Sequence, residues 1–333
     1  MRTRSPILTL SLCVIALLQL ALRLDSPVPV AAQVINPFDP HIGACPIFST
    51  KNVWNRPVIL KPVHPHSADY VNRIGSDKPL HPNFGSTPDN GIPITLITPQ
   101  TADVKVTFTY ADQSDPGDYP IPPNALIEGG TSAPADSDRH IIMVDRVRCL
   151  LYEVGAALPQ SDGSWTAGAG IKMDLMVDSL RPLGWTSADA SGLAILPGLL
   201  RYDEVALGEI KHAIRFTAPQ TQKAYLWPST HYASTITDES YPPMGTRFRL
   251  KAEFDISSYS RDNQVILRAL KRYGMILADN GSSWFITGTP DRRWNDDDLH
   301  KLQQITGSNF EAVDELNWLM VPSSARVDPT AVP

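Results

Sequence analysis

The residues best suited to acid–base chemistry concentrate between Trp185 and His231. Enzymes use histidine and carboxylate side chains to move protons, and they use arginine to neutralise negative charge on a substrate. Taking this segment together with the apolar strand that precedes it, we predict five catalytic residues: His140, His212, His231, Asp203 and Arg215.

Local geometry narrows this set. Asp203 and Glu204 fall in a short helix predicted over 199–207 and closed by Gly208, where adjacent side chains point about 100° apart. Only one of the two can face a given substrate atom. His212 and Arg215 fall in a strand predicted over 210–217 and leave it on opposite faces. The segment therefore forms an active site only if His212, His231 and His140 line the same groove.

Aromatic side chains near turns indicate a carbohydrate ligand. A sugar ring binds with its apolar face on an aromatic ring and its hydroxyls on polar tips. A strand predicted over 244–254 adds a cationic face, which suits an anionic polymer; the alternatives are core aromatics and a solvated basic face. The predicted substrate-binding residues are Trp185, Tyr202, Tyr225, Trp227, Tyr232 and Arg247.

Two reaction types fit these residues. A lyase removes a proton next to a carboxylate and neutralises that carboxylate with arginine; its candidates are His140, His212, His231, Tyr232 and Arg215. A hydrolase needs two carboxyl groups about 5 Å or about 6.5–9.5 Å apart, drawn from Asp145, Asp174, Asp203, Glu204 and Asp279. We predict an enzyme that degrades an extracellular polysaccharide, including uronic-acid polymers. The alternative is a non-catalytic β-sandwich protein that binds sugar or the cell envelope.

The N-terminus is typical of an export signal. Arg2 and Arg4 precede an apolar run over 7–22, and small residues precede Gln33. The run is shorter than the roughly 20 residues that a membrane-spanning helix needs. We predict a signal peptide over residues 1–32 and a secreted, extracellular protein. An uncleaved anchor is the alternative, and it is the single membrane association that we expect.

The cysteines indicate one disulfide bond. Cys13 leaves with the signal peptide, so Cys45 and Cys149 remain. Two cysteines in an exported chain favour a structural disulfide; the alternative is two separate buried thiols. Two thiols are too few for a zinc cluster built from thiolates.

Other metal sites have weaker signals. Each of His64, His66 and His81 is next to a proline, which favours surface turns over metal ligation, and we predict no metal there. The acidic loop over 112–138 carries Asp115, Asp118 and Glu128, which allow a structural calcium ion without matching an EF-hand. We predict no other cofactor.

Composition and patterning predict the fold and exclude some partners. The formal charge of −6 argues against nucleic-acid binding through bulk positive charge, and the chain has no phosphate-binding loop or dinucleotide motif, so we expect no nucleotide. An apolar content of 42% is enough for a core. Strand patterns occupy 103–110, 139–145 and 147–154, while amphipathic helices occupy 261–273 and begin again at Asn295.

These patterns predict a mainly β fold: an antiparallel β-sandwich or jelly-roll-like domain with two or three peripheral α-helices, mostly C-terminal. The expected organisation is a signal peptide over 1–32, a proline-rich segment over 33–102 packed on the main domain, a β-rich main domain with C-terminal helices over 103–321, and a flexible tail over 322–333.

Overall fold

The computed structural model describes residues 40–315 and 324–327, which belong to one compact unit. The predicted signal peptide, including Cys13, lies outside the described residues. Within them, no helix combines the length and the apolar character needed to cross a membrane.

The described residues form a mainly β fold, as predicted. The strands, in chain order, are β1 (His41–Ile42), β2 (Cys45–Pro46), β3 (His81–Asn83), β4 (Ile94–Ile97), β5 (Val106–Phe108), β6 (Ile141–Asp145), β7 (Leu150–Gly155), β8 (Leu158–Pro159), β9 (Trp165–Ala167), β10 (Ala169–Asp174), β11 (Ile214–Ala218), β12 (Arg247–Leu250), β13 (Met275–Asn280), β14 (Phe285–Thr287) and β15 (Phe310–Ala312). The α-helices are α1 (Ser67–Ile74), α2 (Tyr202–Leu207), α3 (Arg261–Arg272) and α4 (Asp296–Leu299).

The strands form four sheets. Their orders are β15-β12-β13-β11-β14-β3, β10-β7-β6-β4, β5-β9-β8 and β1-β2. The strands predicted over 139–145 and 147–154 are present as β6 and β7, which pair antiparallel as a hairpin. Four pairs are parallel, however: β4 with β6, β5 with β9, β3 with β14 and β11 with β13. The prediction of antiparallel sheets was wrong for these pairs, because parallel strands are joined by long crossovers that leave no local turn signal.

The four-stranded sheet is buried on both faces. Alternation along β6 sends Ile142 and Val144 into a core that also contains Ile276 of β13. Ile141 and Met143 face the other way, into a core shared with the small sheet of β5, β8 and β9. Since both sets of side chains are fully buried, the apolar character of both faces of β6 is explained by packing on two sides.

The two predicted C-terminal helices are present. Ser260 caps α3 by accepting a hydrogen bond from the Asn263 backbone N–H, and Asn295 caps α4 by accepting from that of Asp298. The apolar stripe of α3 is buried in the core that covers β12. Asp296 to Asp298 lie in the first turn of α4, where the helix dipole stabilises negative charge.

Both ends of the described chain are integrated into the fold. The proline-rich segment supplies β3 and β4, which are edge strands of the two larger sheets. Ala325 and Val327 are 3% and 2% exposed, and Arg326 forms a β-bridge with Asn52. Ala325 and Val327 therefore pack on the rest of the fold, and the flexible tail predicted over 322–333 stays a prediction. The other tail residues in 322–333 lie outside the described part.

The predicted disulfide is confirmed. Cys45 of β2 is bonded to Cys149, which precedes β7, with a Cα–Cα distance of 5.3 Å and 104 positions between them in the sequence. The bond therefore links the start of the described chain to the β6–β7 hairpin.

Replacing both cysteines, Cys45→Ala with Cys149→Ala, should lower the free energy of unfolding by about 4–5 kcal/mol, because the bond closes a loop of roughly 100 residues in the unfolded chain. Urea denaturation followed by tryptophan fluorescence measures the change. Reducing agent should destabilise the wild type by a similar amount and leave the double variant unaffected. Equal midpoints for the wild type and the double variant would contradict the prediction.

Candidate functional site

Two aspartates from distant parts of the chain meet at the edge of a cleft of about 570 Å³. Asp279 lies near the end of β13, and Asp189 lies in the loop that follows the turn at 182–184. Their carboxyl groups are hydrogen-bonded to each other. The Asp189 side chain is 0% exposed and that of Asp279 is 19% exposed, so Asp279 is the carboxyl group that faces the cleft.

A bulge between β11 and β13 lies beside Asp279. The parallel register pairs Phe216 with Leu277 and then Thr217 with Asp279, which leaves Ala278 without an opposite residue. Bulges of this kind redirect side chains and are frequent next to active sites. The orientation of Asp279 therefore depends on strand pairing that local alternation does not show.

Arg215 of β11 is bonded to Asp189 through both carboxylate oxygens. Its Nε and Nη2 donate to the two carboxylate oxygens of Asp189, each at 2.6 Å, and its Nη1 donates to Thr287 Oγ1 at 2.7 Å. Burial alone would lower the pKa of Arg215, but Asp189, Asp279 and Glu128 together raise it. The guanidinium is therefore charged and already engaged by the protein.

Asp279 has the properties of a general acid. Burial raises its pKa well above the usual range and the adjacent Asp189 carboxylate raises it further, whereas Arg215, 3.5 Å from Asp279 Oδ2, acts in the opposite direction. Asp279 therefore keeps its proton to higher pH than an ordinary aspartate does, and it can donate that proton to a group in the cleft.

His231 has the geometry of a general base in the same cleft. Its Nδ1 lies 2.8 Å from the carbonyl oxygen of Ala190, which can only accept, so Nδ1 carries the proton. A neutral imidazole protonated at Nδ1 has its lone pair on Nε2. The ring lines the cleft and stacks on Tyr232 with centroids 5.8 Å apart.

His140 also lines the cleft, but as a cation. Its Nδ1 is 2.6 Å from Glu128 Oε2 and its Nε2 is 3.0 Å from the carbonyl oxygen of Ala188. Burial lowers the pKa of His140, but Glu128 outweighs burial and, with Asp189, raises it to about 10. Because both ring nitrogens carry a hydrogen and donate it, His140 has no free lone pair that could accept a proton. The structure therefore does not support His140 as a general base.

Two other predicted catalytic residues lie at a different cleft, of about 650 Å³. Asp203 lines this second cleft. His212 lies behind it and is 1% exposed, with its Nε2 3.1 Å from Glu204 Oε2 and its Nδ1 2.7 Å from the carbonyl oxygen of Ala213. Because β11 begins only at Ile214, strand alternation does not describe His212. The structure therefore does not bring His212 and Asp203 together with Asp279.

The predicted substrate-binding aromatics are dispersed. Tyr232 contacts the cleft-lining His231 and stacks on Tyr225 with centroids 6.3 Å apart. Trp185 lies under the guanidinium of Arg181, and Trp227 donates from Nε1 to the Ser324 carbonyl oxygen. Tyr202 lines the second cleft. Tyr232 therefore contacts His231 directly, and Tyr225 contacts Tyr232.

Arg247 is a structural residue. Its side chain is fully buried, forms an ion pair with Glu315 at 3.0 Å, and donates to the carbonyl oxygens of Val53, Arg56 and Tyr273. Buried guanidinium groups need this many acceptors to offset their lost hydration. The predicted cationic ligand-binding face therefore does not include Arg247.

Sequence reasoning missed three residues of this site. Tyr110, 52% exposed, lines the cleft. Asp189 was not chosen as a candidate because it lies in a predicted turn. Its sequence, Asp-Ala-Ser-Gly, nevertheless resembles the Asp-Asn-Gly of Asp279, since each aspartate precedes a tight loop that contains glycine. Glu128 was considered only as a calcium ligand. Comparing these two Asp-x-(x)-Gly segments could have identified Asp189 as a candidate.

The histidines and acidic residues that were considered as metal ligands are engaged by protein groups. His64 and His66 both stack on Tyr70, whereas His81 stacks on Phe285. Asp115 accepts from Arg181 at 2.5 Å. Among the described residues, no group of three or more histidine, cysteine or acidic side chains is arranged to hold a metal ion. The structural calcium ion stays a prediction.

The cleft around Asp279 has an acidic lining. Within the part of the chain that the structure describes, Asp136, Asp138, Asp189 and Asp279 line it and no lysine or arginine does. No protein-family model, curated protein or solved structure matches this chain. The geometry and charge of the cleft are therefore the basis for a functional assignment.

Proposed function

We propose that this protein is a secreted hydrolase that cleaves an extracellular polysaccharide, with Asp279 as the general acid and His231 as the general base. The observation that carries the proposal is that a carboxyl group with a raised pKa and an imidazole with a free Nε2 lone pair line one cleft. Acid–base pairs of this kind accelerate bond cleavage by about 10²–10⁴-fold for each group.

The proposed reaction is a direct displacement by water. His231 Nε2 accepts a proton as the water oxygen bonds to the anomeric carbon. The glycosidic C–O bond breaks, and the leaving oxygen takes the proton of Asp279. Solvent then returns a proton from His231 to Asp279. The Asp189 carboxylate, bonded to Arg215, favours this return of the proton to Asp279, because a second negative charge beside it is unfavourable.

The two aspartates do not act as the usual carboxyl pair of a glycosidase. That pair is about 5 Å or about 6.5–9.5 Å apart, whereas Asp189 and Asp279 are in direct hydrogen-bond contact. Asp189 is also inaccessible to substrate. This is why we assign the base role to His231.

Charge favours hydrolysis over elimination. A lyase would need a free cation to neutralise the substrate carboxylate, but Arg215 is occupied by Asp189, the cationic His140 is occupied by Glu128, and among the described residues no lysine or arginine lines the cleft. Neutral polysaccharides therefore fit the proposal better than uronic-acid polymers. The exposed ring of Tyr110 and the nearby Tyr232 offer apolar faces for sugar rings.

The proposed function predicts that the mature protein releases reducing ends from neutral polysaccharides without forming unsaturated products. A panel of neutral and uronic polymers, assayed for both products, tests it. His231→Gln should lower kcat by about 10²–10⁴-fold, whereas His66→Gln, a change in a 46% exposed histidine outside the cleft, should not. Binding without cleavage of any polymer would favour the non-catalytic alternative, and unsaturated products would favour a lyase.

The finer fold class and the location of the protein are part of the proposal. Ile142 and Val144 of β6 share one core with Ile276 of β13, which supports a sandwich-like stacking of the two larger sheets. We retain the antiparallel sandwich or jelly roll only in this sense of two packed layers. The N-terminal sequence pattern supports export.

A further inference from the structure

We infer that Glu128 and His140 form a positioning pair, which holds the segment Ala188–Ala190 in the arrangement that places both the acid and the base. The expected effect on catalysis rests on the proposed function. The geometric claim, that the pair holds this segment in place, does not depend on that function. Neither Glu128 nor His140 is assigned a proton-transfer step.

One short segment supports both catalytic groups. The Asp189 carboxylate is hydrogen-bonded to Asp279, and the next residue, Ala190, accepts the Nδ1 hydrogen bond of His231 at 2.8 Å. The bond to Ala190 is what leaves the His231 lone pair on Nε2. Any shift of this segment therefore alters the environment of the acid and the tautomer of the base at the same time.

His140 holds the segment from the preceding residue. Its Nε2 donates to the Ala188 carbonyl oxygen at 3.0 Å while its Nδ1 donates to Glu128 at 2.6 Å. A neutral imidazole has one N–H and can make only one of these bonds. The negative charge of Glu128 is therefore what allows His140 to keep the second proton while it holds Ala188.

The opposite side of Ala188 is closed by backbone. A Cβ atom added at Gly155, the last residue of β7, would lie 2.8 Å from the Ala188 carbonyl oxygen. The carbonyl thus packs directly against the β7 backbone and faces His140, whose side chain is 4% exposed.

Loss of the His140 donors should release this arrangement. In His140→Phe a ring of similar shape fills the site but donates no hydrogen bond, so the Ala188 carbonyl oxygen and the Glu128 carboxylate lose their hydrogen bonds to the ring. Glu128→Gln would not have this effect, because the glutamine amide can donate to Nδ1 of a neutral His140, whose Nε2 still donates to Ala188.

The test is ¹⁵N NMR of the histidine rings in the full mature chain, combined with kinetics on a neutral polysaccharide. In the wild type at pH 7, His140 should be protonated on both nitrogens and His231 on Nδ1. In His140→Phe, His231 should lose its single-tautomer signature. We expect kcat to fall by about 10- to 100-fold with little change in KM, comparable to a misplacement of up to 1 Å.

His212→Phe is the matched control. His212 is also buried and its Nε2 lies 3.1 Å from a glutamate, Glu204, but that glutamate lines the second cleft. This variant should lose a comparable contact between a histidine and a glutamate without altering the His231 tautomer or kcat. An equal effect of the two variants on kcat would mean that the His140 effect reflects general destabilisation, which would overturn the inference.

Two further results would overturn it: a singly protonated His140 in the wild type at pH 7, or an unchanged His231 tautomer in a folded His140→Phe protein. If the wild type cleaves no polysaccharide, the proposed function fails while the NMR result still decides the geometric claim.

A titration of the wild type replaces the variant if His140→Phe does not fold. The charged or titratable groups that influence His140 are Glu128, Asp189, Arg215, Glu153 and Asp279. The pKa of His140 is about 10, so the single-tautomer signature of His231 should be lost as pH rises through that value. Its persistence after His140 deprotonates would overturn the inference.

Discussion

Asp279→Asn should abolish most of the hydrolytic activity, with kcat lower by about 10²–10⁴-fold, while the protein stays folded. The amide has the shape of the carboxyl group and can donate to Asp189, but it cannot give a proton to a leaving oxygen. It also removes the cost of ionising a buried carboxyl group, so the free energy of unfolding should not fall. Release of reducing ends and urea denaturation measure the two quantities.

The pH profile adds a second readout for Asp279. Its pKa is raised in the folded protein, so its protonated form is favoured by folding. Activity that depends on this proton is present at lower pH and is lost as pH rises through the folded pKa, and this alkaline limb should vanish in the residual activity of Asp279→Asn. Asp203→Asn, a change in a 79% exposed carboxylate at the second cleft, should leave kcat unchanged. Wild-type activity in Asp279→Asn would show that the acid is another residue.

Arg215→Met should lower the free energy of unfolding by about 3–5 kcal/mol. The substitution leaves Asp189, whose side chain is 0% exposed, without its bidentate partner. Removing one member of a buried ion pair costs more than removing both, because the remaining charge is neither hydrated nor paired. Adding Asp189→Asn to Arg215→Met should therefore recover part of the lost stability.

The control for Arg215 is another arginine with two acidic partners. Arg293 bonds to Asp203 and Asp291, but its side chain is 49% exposed. Arg293→Met should cost less than about 1 kcal/mol, as exposed ion pairs generally do. Urea denaturation with the disulfide intact compares the variants. Equal costs for Arg215→Met and Arg293→Met would mean that Asp189 becomes hydrated once Arg215 is removed.

Sequence patterns predicted the elements that depend on neighbouring residues. The β6–β7 hairpin follows from two apolar, β-branched runs with a charged break between them, and α3 follows from an amphipathic apolar stripe. The same reasoning failed for His212, because the alternation of a strand was applied to a residue that precedes it. It also failed for Arg247, because the cationic residues of one strand were read as a surface without knowledge of the chain that covers it.

The side chains able to carry out chemistry could be identified from their residue types, but the sequence did not show which of them contact one another. Asp279, His231, His140 and Arg215 were all among the candidates, whereas Asp189 was not, although it connects them. Asp189 and Arg215 are 26 positions apart in the chain, and their contact requires the loop before β11 to fold back on that strand. Parallel pairing of β11 with β13 then brings Asp279 to the same place.

The amino-acid sequence alone indicated a β-rich chain with an export signal, a disulfide and a supply of acid–base side chains, because these properties depend on residue type and short-range order. The tertiary structure decided which side chains share a cleft and what protonation state each has. A pKa depends on burial and on charges within a few ångströms, and here those charges come from distant segments. The Trp185–His231 segment therefore contributes His231 and Asp189 to the site, and its acid is supplied by β13.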